Sequence, residues 1–144
     1  MVEKKIKDFF ENKEKLIGKQ ILVTAGPTFE HIDSVRYISN FSSGKQGYEI
    51  AESANLFGAK TILITGPTKE SPPEVNKLIK VETADEMFKA TQNNLPSDVA
   101  IFSAAVADFK IKQEKKEKIK KEDYINLNLE KNIDILNYVS NHNS

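Results

Sequence analysis

The sequence contains no cysteine, which excludes disulfide bonds, thiolate metal sites and a cysteine nucleophile. It has only two histidines, His31 and His142, so a histidine-based metal site is not expected. No apolar stretch approaches the roughly 20 residues of a membrane span. The charged start, Met-Val-Glu-Lys-Lys, is followed by no signal-peptide core. These absences predict a cytoplasmic protein without a membrane segment.

The chain also lacks an excess of either charge, because 21 Lys and Arg residues balance 21 Asp and Glu residues. This balance gives no reason to expect nucleic acid or a membrane surface as a partner. The 144 residues match the length of one domain, and a hydrophobic content of 39% is ordinary for a globular protein. We find no repeat and no linker that would divide the chain.

Short apolar runs alternate along the chain with segments of helical periodicity. Apolar runs predict strands over residues 20–25, 60–65, 78–82, 98–105 and 124–129. The fourth of these is apolar enough for the interior of a sheet. Strands that alternate with helices predict an α/β, Rossmann-like three-layer fold with a mostly parallel central sheet.

Helices are predicted between these strands, over residues 44–57, 84–94 and 133–141. Ser42 or Ser43 is a candidate N-cap for the first helix, and Thr83 with Glu86 predicts a capping box for the second. An amphipathic helix is predicted over residues 2–16. It lies in an N-terminal segment, 1–18, that precedes the main domain, 19–144.

The segment 36–47, Arg-Tyr-Ile-Ser-Asn-Phe-Ser-Ser-Gly-Lys-Gln-Gly, carries the strongest functional signal. It follows the first strand and a Gly26-Pro27-Thr28 break, and it leads into the first helix. A helix N-terminus attracts anions, and glycine lets a phosphate approach the backbone. Arg36, Asn40 and Lys45 add side chains that donate hydrogen bonds to oxygen. The layout predicts a phosphate-binding loop.

Two familiar phosphate loops do not match this segment. A Walker A loop needs glycine at position 39 and Ser or Thr at position 46, where this chain has Ser39 and Gln46. A dinucleotide fingerprint needs G-x-G-x-x-G directly behind the strand, but seventeen residues without glycine follow Gly26. A Rossmann-type reductase that uses NAD is therefore disfavoured.

Asp108 is a second candidate, because it follows the small-residue run 103–107 at the end of the fourth strand. Small side chains let a flat base or a ribose lie against the backbone, and the carboxylate can accept ribose hydroxyl hydrogen bonds. The structural alternative is that Ala104 and Ala105 give close packing and Asp108 caps a turn. Spacing alone does not decide between these interpretations.

Residues 110–121 contain seven lysines against two glutamates. Such a run is usually a solvated face, and the functional alternative is a lid that neutralises a polyphosphate. A nucleic-acid patch is disfavoured because no aromatic residue between these lysines could stack on a base. Glu30, His31 and Asp33 could form an acid–base cluster, but we interpret them as structural residues at the surface.

Several segments, in this order over residues 20–136, together resemble phosphopantothenate–cysteine ligase (phosphopantothenoylcysteine synthetase). They are Gly26-Pro27-Thr28, Ile32-Asp33, 35–40, Ser42-Ser43-Gly44-Lys45, Gly47, 81–84, Glu86-Met87, 104–109 and Lys118-Ile119-Lys120-Lys121. In bacteria this enzyme is often fused to a flavin-dependent decarboxylase. The chain departs from the family pattern at Ile133, where the family has proline, and it lacks the family's C-terminal third.

The resemblance implies a two-step ligase reaction. CTP, or ATP in eukaryotes, activates the carboxylate of 4′-phosphopantothenate as an acyl-nucleotidyl anhydride and releases pyrophosphate. The amine of cysteine then displaces the nucleoside monophosphate. Mg²⁺ bridges phosphate oxygens without a protein cage of carboxylates, and this chain holds no flavin. A homodimer and a separate decarboxylase are the implied protein partners. The alternative is a non-catalytic module that binds nucleotide or phosphopantothenate.

The resemblance also implies roles for individual residues. Asn40 would hold the acyl-phosphate intermediate, Arg36 would reach the substrate from the partner subunit, and Lys118 would serve the second step. The implied nucleotide-binding residues are Gly26, Ala104, Ala105, Asp108 and Lys118. The implied substrate- and phosphate-binding residues are Ser42, Ser43, Gly44 and Lys45.

Overall fold

A computed structural model describes residues 15–121 and 126–141. The strands in these ranges are β1 (Gln20–Ala25), β2 (Phe29–His31), β3 (Tyr37–Ser39), β4 (Lys60–Thr65), β5 (Lys77–Lys80), β6 (Val99–Phe102), β7 (Phe109–Ile111) and β8 (Leu129–Lys131). The helices are α1 (Lys45–Leu56), α2 (Ala84–Gln92) and α3 (Ile135–Ser140). Most of the predicted N-terminal helix lies outside the described residues, and residues 15–18 form a turn.

The central sheet has four parallel strands in the order β5-β4-β1-β6. β1 lies inside the sheet, with Leu22 paired to Ile62 on one side and to Ala100 on the other. All four strands therefore end at one edge of the sheet, as the alternation of strands and helices predicted. The predicted α/β class with a parallel sheet is confirmed.

Helices cover both faces of this sheet, because alternate residues of β1 point to opposite sides. Ile21 and Val23 pack with Tyr48 and Ala51 of α1 in one buried cluster. Leu22 packs with Met87 of α2 and Ile135 of α3 in a second cluster. The result is the three-layer arrangement that the sequence predicted.

β6 corrects one expectation, since it forms an edge of the sheet within the described part of the chain rather than an interior strand. The predicted fifth strand, 124–129, does not extend the sheet. Residues 122–125 lie outside the described ranges, and β8 (Leu129–Lys131) instead pairs antiparallel with β7 in a separate two-stranded ribbon. A second ribbon, β2–β3, was missed in the long loop after β1.

The prediction of Ser42 or Ser43 as the N-cap of α1 was wrong. Gly44 is the N-cap, with φ of 76° and no side-chain capping bond, because glycine enters the left-handed region at no steric cost. The serine hydroxyls instead accept from the loop itself, Ser42 from the Gly44 N–H and Ser43 from the Lys45 N–H. The capping box of Thr83 and Glu86 is present at α2.

The observed elements are shorter than predicted at several ends: α1, α2 and α3 span 45–56, 84–92 and 135–140, and β5 and β6 span 77–80 and 99–102. Within residues 15–121 and 126–141, no helix has both the length and the apolar character needed to cross a bilayer.

Candidate functional site

The loops that follow β1, β4 and β6 meet at the edge of the sheet where those strands end. The Gly66 N–H donates to the Ala25 carbonyl at 3.0 Å, and the Ala105 N–H donates to the Gly26 carbonyl at 2.8 Å. Pro27 and Ala105 form a parallel bridge. Backbone hydrogen bonds therefore hold the three loops together before any ligand is considered.

Glycines make this close approach feasible. A Cβ on either Gly26 or Gly44 would lie 2.8 Å from the methyl group of Thr68. A Cβ on Gly47 would lie 2.5 Å from the Ala25 Cβ, so Gly47 lets α1 pack tightly against β1. The described contacts thus give Gly26 and Gly44 a packing role, and their predicted part in ligand binding stays a prediction.

One cavity of about 480 Å³ lies beyond the ends of β1 and β6. Thr24, Ala104 and Asp108 line one side, and residues 131–136 line the other. Asn132 joins the two sides, because its N–H donates to the Asp108 carbonyl at 2.8 Å and its Nδ2 donates to the Ala107 carbonyl at 2.7 Å. The Asn132 Oδ1 is buried without a hydrogen-bond partner among the described residues.

A second cavity, of about 730 Å³, is lined by the loops that follow β1, β3 and β4. Its lining includes Asn40, Ser42, Ser43 and Tyr37, together with the loop after β4. This brings three of the predicted site residues into one concave surface. Gly44 lies buried behind it, and the exposed Lys45 begins α1.

Asn40 links the linings of the two cavities. Its Nδ2 donates to the Val106 carbonyl at 3.0 Å and to the Ala105 carbonyl at 3.5 Å, and Val106 belongs to the lining of the first cavity. The structure therefore brings together Asn40 and the Ala104–Asp108 segment, which the sequence assigned to separate parts of the site.

Asp33 anchors the turn that follows β2. Its side chain is completely buried, and its Oδ1 accepts from the Val35 and Arg36 N–H groups at 2.9 Å each. Its Oδ2 accepts from the Arg36 Nη1 at 2.6 Å and from the Ile119 N–H at 3.2 Å. Burial favours the neutral acid, but these donors outweigh it and hold the pKa of Asp33 below its ordinary value.

The same turn holds the lysine-rich segment. Ile119 is only 8% exposed, and its carbonyl accepts from the Arg36 Nη2 at 3.5 Å. The Lys115 N–H donates to the Ile32 carbonyl at 3.1 Å. Residues 115–119 are therefore docked on the 32–36 turn, and the exposed side chain of Lys118 directly precedes the docked Ile119.

Lys110, at the start of the lysine-rich segment, is committed to an ion pair. Its Nζ donates to Asp85 at 2.8 Å and lies 4.0 Å from Glu130. The hydrogen bond to Asp85 raises the pKa of Lys110 above its ordinary value, although partial burial opposes the shift. This lysine therefore fastens the β7–β8 ribbon to the start of α2.

Glu30 and Asp33 are not the surface residues that the sequence predicted, because both carboxyl groups are buried. Glu30 accepts from the Ala84 N–H at 2.9 Å, which satisfies a free donor at the start of α2. His31 contacts Glu82 at 3.2 Å. All three residues have structural contacts, in agreement with the structural role assigned to them. Within residues 15–121 and 126–141, no group of three or more His, Asp or Glu side chains is placed to hold a metal ion.

The fold and the site define an α/β domain with an open parallel sheet and cavities at its carboxyl edge, the usual ligand position in such sheets. The chain belongs to the family of DNA/pantothenate metabolism flavoprotein C-terminal domains, whose profile matches residues 16–144. This confirms the family that the sequence motifs predicted.

One relative is the coenzyme A biosynthesis bifunctional protein CoaBC of Haemophilus influenzae, 43% identical over 136 residues. The match covers 93% of this chain and 34% of that protein, so the chain spans about a third of its relative's length. The crystal structure of the C-terminal domain of a CoaBC protein is 44% identical with a TM-score of 0.75, covering 89% of this chain and 60% of that one.

A mutant of Cab2 in complex with phosphopantothenate-cysteine is a more distant structural neighbour. It is 17% identical with a TM-score of 0.67, and the match covers 97% of this chain and 66% of that one. At this identity the likeness supports the shared fold alone. The chain thus shares its fold with both solved structures.

Proposed function

We propose that this chain is the substrate-binding part of a ligase of coenzyme A biosynthesis that joins cysteine to 4′-phosphopantothenate through an acyl-nucleotidyl intermediate. The observation that carries this proposal is the position of Asn40, which lines one cavity and donates to the carbonyl of Val106 in the lining of the other. A ligase of this kind must bring a nucleotide phosphate and an acyl substrate to one point, and we assign Asn40 to that point.

The nucleotide is assigned to the cavity lined by Ala104, Asp108 and Asn132. The lining includes the exposed Asp108, whose carboxylate suits the hydroxyl donors of a ribose. Phosphopantothenate is assigned to the cavity lined by Asn40, Ser42 and Ser43. Both volumes lie within the roughly 300–1,000 Å³ of small-molecule sites.

The chemistry then follows from charge. Activation joins the carboxylate oxygen of phosphopantothenate to the α-phosphorus of the nucleotide and expels pyrophosphate. Fixed donors aimed at the developing charge usually supply the largest share of catalysis, and we assign this role to the Asn40 amide and the Lys45 ammonium. Mg²⁺ is assigned to the phosphate oxygens, with no metal ligands from the protein.

The second step needs little from the protein except orientation. The cysteine amine attacks the activated acyl carbon, and the nucleoside monophosphate leaves. We assign Lys118 to this step, since it projects from a segment that is docked beside the loop carrying Arg36 and Asn40. Its charge would stabilise the departing phosphate, and its segment would limit the access of water to the anhydride.

We propose a homodimer in the cytoplasm as the working form, with a separate decarboxylase as a further partner. Val35, Tyr37 and Phe41 are exposed apolar side chains on the arm between β2 and α1. They supply a surface that a second copy would cover, and Arg36 lies within the same arm. CTP is the assigned nucleotide, and ATP is its competitor in the test.

A second function, a binding module without turnover, is favoured by one observation. The chain spans 60% of the solved CoaBC C-terminal domain that it matches. Groups that complete the reaction in that domain need not all be present in these 144 residues. Binding and turnover are therefore measured separately.

The first test is a thermal melt with CTP and Mg²⁺, with ATP, and with NAD. We expect CTP to raise the melting temperature, because ligand at 100 times its Kd adds about 2.7 kcal/mol to the free energy of unfolding. NAD is the matched control, since the loop lacks the dinucleotide fingerprint. A melt that moves with NAD and not with CTP or ATP would overturn the proposal.

The second test is pyrophosphate release with CTP or ATP plus 4′-phosphopantothenate, before and after cysteine is added. It is run on this chain and on a version extended with the corresponding C-terminal region of a CoaBC relative. Release by the extended version alone would assign binding to these residues and turnover to the longer protein.

A further inference from the structure

We propose that Asp33 is a positioning residue that latches the lysine-rich segment onto the 32–36 turn and thereby sets the location of Lys118. The latch is defined as Asp33, Arg36 and Ile119. Its consequence for the second step depends on the proposed function, whereas the latch itself rests on contacts alone. Asp33 is given no part in contacting substrate.

The two carboxylate oxygens of Asp33 do different work. Oδ1 accepts from the N–H groups of Val35 and Arg36, two and three residues along the chain, and so closes the turn. Oδ2 accepts from the Arg36 Nη1 and from the N–H of Ile119, which is 86 residues away in sequence. One buried side chain therefore connects a local turn to a distant segment.

Both backbone groups of Ile119 are engaged by this pair. Its N–H donates to Asp33 at 3.2 Å, and its carbonyl accepts from the Arg36 Nη2 at 3.5 Å. The side chain of Ile119 is also buried, which adds an apolar anchor. Lys118 and Lys120 flank this fixed point and are exposed, so fixing Ile119 limits where both ammonium groups reach.

A completely buried carboxylate is costly unless it is fully hydrogen-bonded. The local turn needs only one acceptor oxygen, which an asparagine or a serine would supply at lower cost. The second oxygen is used by the Arg36 guanidinium and by the lysine-rich segment. This division of labour is the reason to assign Asp33 to the segment as well as to the turn.

Asp33→Asn separates the two tasks. The amide keeps one carbonyl oxygen for the turn, but its NH₂ group cannot accept from the Ile119 N–H or from Arg36. The matched control is Asp98→Asn. Asp98 also accepts from a backbone N–H and a basic side chain, those of Gln20 and Lys19, but it lies at the opposite edge of the sheet.

The experiment is limited trypsin digestion of the ligand-free chain well below its melting temperature, with fragments identified by mass. Cleavage after Lys115, Lys116, Lys118, Lys120 and Lys121 reports how often the segment leaves the turn. We expect Asp33→Asn to speed this cleavage about tenfold or more, as for loss of a hydrogen bond to a charged group, and Asp98→Asn to leave it near wild type. Equal rates in all three proteins would overturn the latch.

Ile119→Ala guards against a variant that fails to fold. It leaves Asp33 intact and removes only the apolar anchor, so its cleavage should also accelerate while its melt stays close to wild type. If Asp33→Asn is unfolded and Ile119→Ala is cleaved at the wild-type rate, the latch is wrong.

The positioning role is tested by measuring the rates of the two half-reactions, activation and cysteine transfer, separately. The protein used is this chain or the extended version, whichever releases pyrophosphate. We expect Asp33→Asn to slow cysteine transfer more than activation, in the same sense as Lys118→Gln, and Asp98→Asn to change neither. Equal slowing of both steps would overturn the positioning role. If the wild type shows no half-reaction, the proposed function fails and the digestion still decides whether the latch exists.

Discussion

The strands of the central sheet begin at one side, the amino edge, and end at the opposite side, the carboxyl edge. Polar side chains form hydrogen-bond networks at both, but the two networks come from different parts of the chain. At the amino edge, Asp98 accepts from the Gln20 N–H at 2.8 Å and from the Lys19 Nζ at 2.9 Å, and the Gln20 side chain donates to the Pro96 carbonyl. At the carboxyl edge, Asp33 connects a turn near β2 to a segment beyond β7.

The difference lies in what each network joins. The amino-edge contacts join Lys19 and Gln20, at the start of β1, to Pro96 and Asp98, just before β6, and these two strands are neighbours in the sheet. The carboxyl-edge contacts of Asp33 join a turn and a segment that come from distant parts of the sequence, and neither of these lines the two cavities. Similar hydrogen-bonding chemistry therefore aligns strands at one edge and docks a distant segment at the other.

The largest expected effect is the loss of stability when one methyl group is added at the carboxyl edge, compared with the same addition at the amino edge. Gly66→Ala places a Cβ against the Pro27 carbonyl oxygen, so the loops after β1 and β4 must separate at a cost of about 3 kcal/mol. Gly18→Ala is the control, because no atom lies within 4 Å of its new Cβ. Its positive φ alone should cost about 1 kcal/mol. Urea unfolding measures both, and equal losses would remove the distinction between the edges.

Asn40→Asp is expected to be the most damaging conservative change to activity. It removes the donor to the Val106 carbonyl and places a negative charge where the acyl phosphate is proposed to form. Loss of such a donor typically costs about 100- to 1000-fold in rate. Melting temperature should barely change, because Asn40 is exposed on a loop.

Asn55→Asp is the matched control for this prediction. The Asn55 Nδ2 likewise donates to a backbone carbonyl, that of Glu74 at 3.1 Å, but it lies near the end of α1, toward the amino edge. Formation of the intermediate and thermal melts are measured on both variants. Near-native activity of Asn40→Asp would reduce Asn40 to a turn residue.

The smallest expected effect is a difference in how acid reduces the contributions of Asp33 and Asp98 to the free energy of unfolding. Both Asp33 and Asp98 have a pKa below the ordinary value of 3.8. For Asp98 the cause is the Gln20 N–H first and the Lys19 side chain second. A lowered pKa means that each carboxylate stabilises the fold above its ordinary pKa. That stability is lost as the pH falls through the lower folded value.

Salt separates the two contributions. The side chain of Asp98 is 37% exposed and that of Asp33 is buried, so added salt should weaken the Asp98 contribution more. The measurement is urea unfolding between pH 6 and pH 2 (roughly the span of carboxyl titration) at low and high salt, for wild type, Asp33→Asn and Asp98→Asn. Equal salt sensitivity of the two variants would contradict the difference in burial.

Much of the sheet could be predicted because burial on both faces leaves a plain signal. Residues 21–25 and 61–65 are continuous apolar or threonine runs, and they form the paired strands β1 and β4. The capping box could also be predicted, because its two residues, Thr83 and Glu86, are only three positions apart in the sequence. The ribbons β2–β3 and β7–β8 have three-residue strands, too short to establish a period of two.

The sequence predicted individual residues of the candidate site but not which of them contact one another. The Asn40 to Lys45 loop and Asp108 were identified from small residues and donors near strand ends. The meeting of Asn40 with Val106, and of Asp33 with Ile119, depends on loop paths that no local spacing encodes. Asp33 gave a misleading signal, because an Asp among polar loop residues ordinarily lies in water.

The position of β1 inside the sheet has a consequence for synthesis on the ribosome. β1 is the first of the four strands to emerge, yet its two neighbours, β4 and β6, lie about forty and eighty residues later. At translation rates of about 5–20 residues per second, its apolar residues wait for several seconds with one or both edges unpaired. We therefore expect exposed apolar edges on the nascent chain until β6 has left the ribosome, which is the interval in which a chaperone that binds short apolar strands would act.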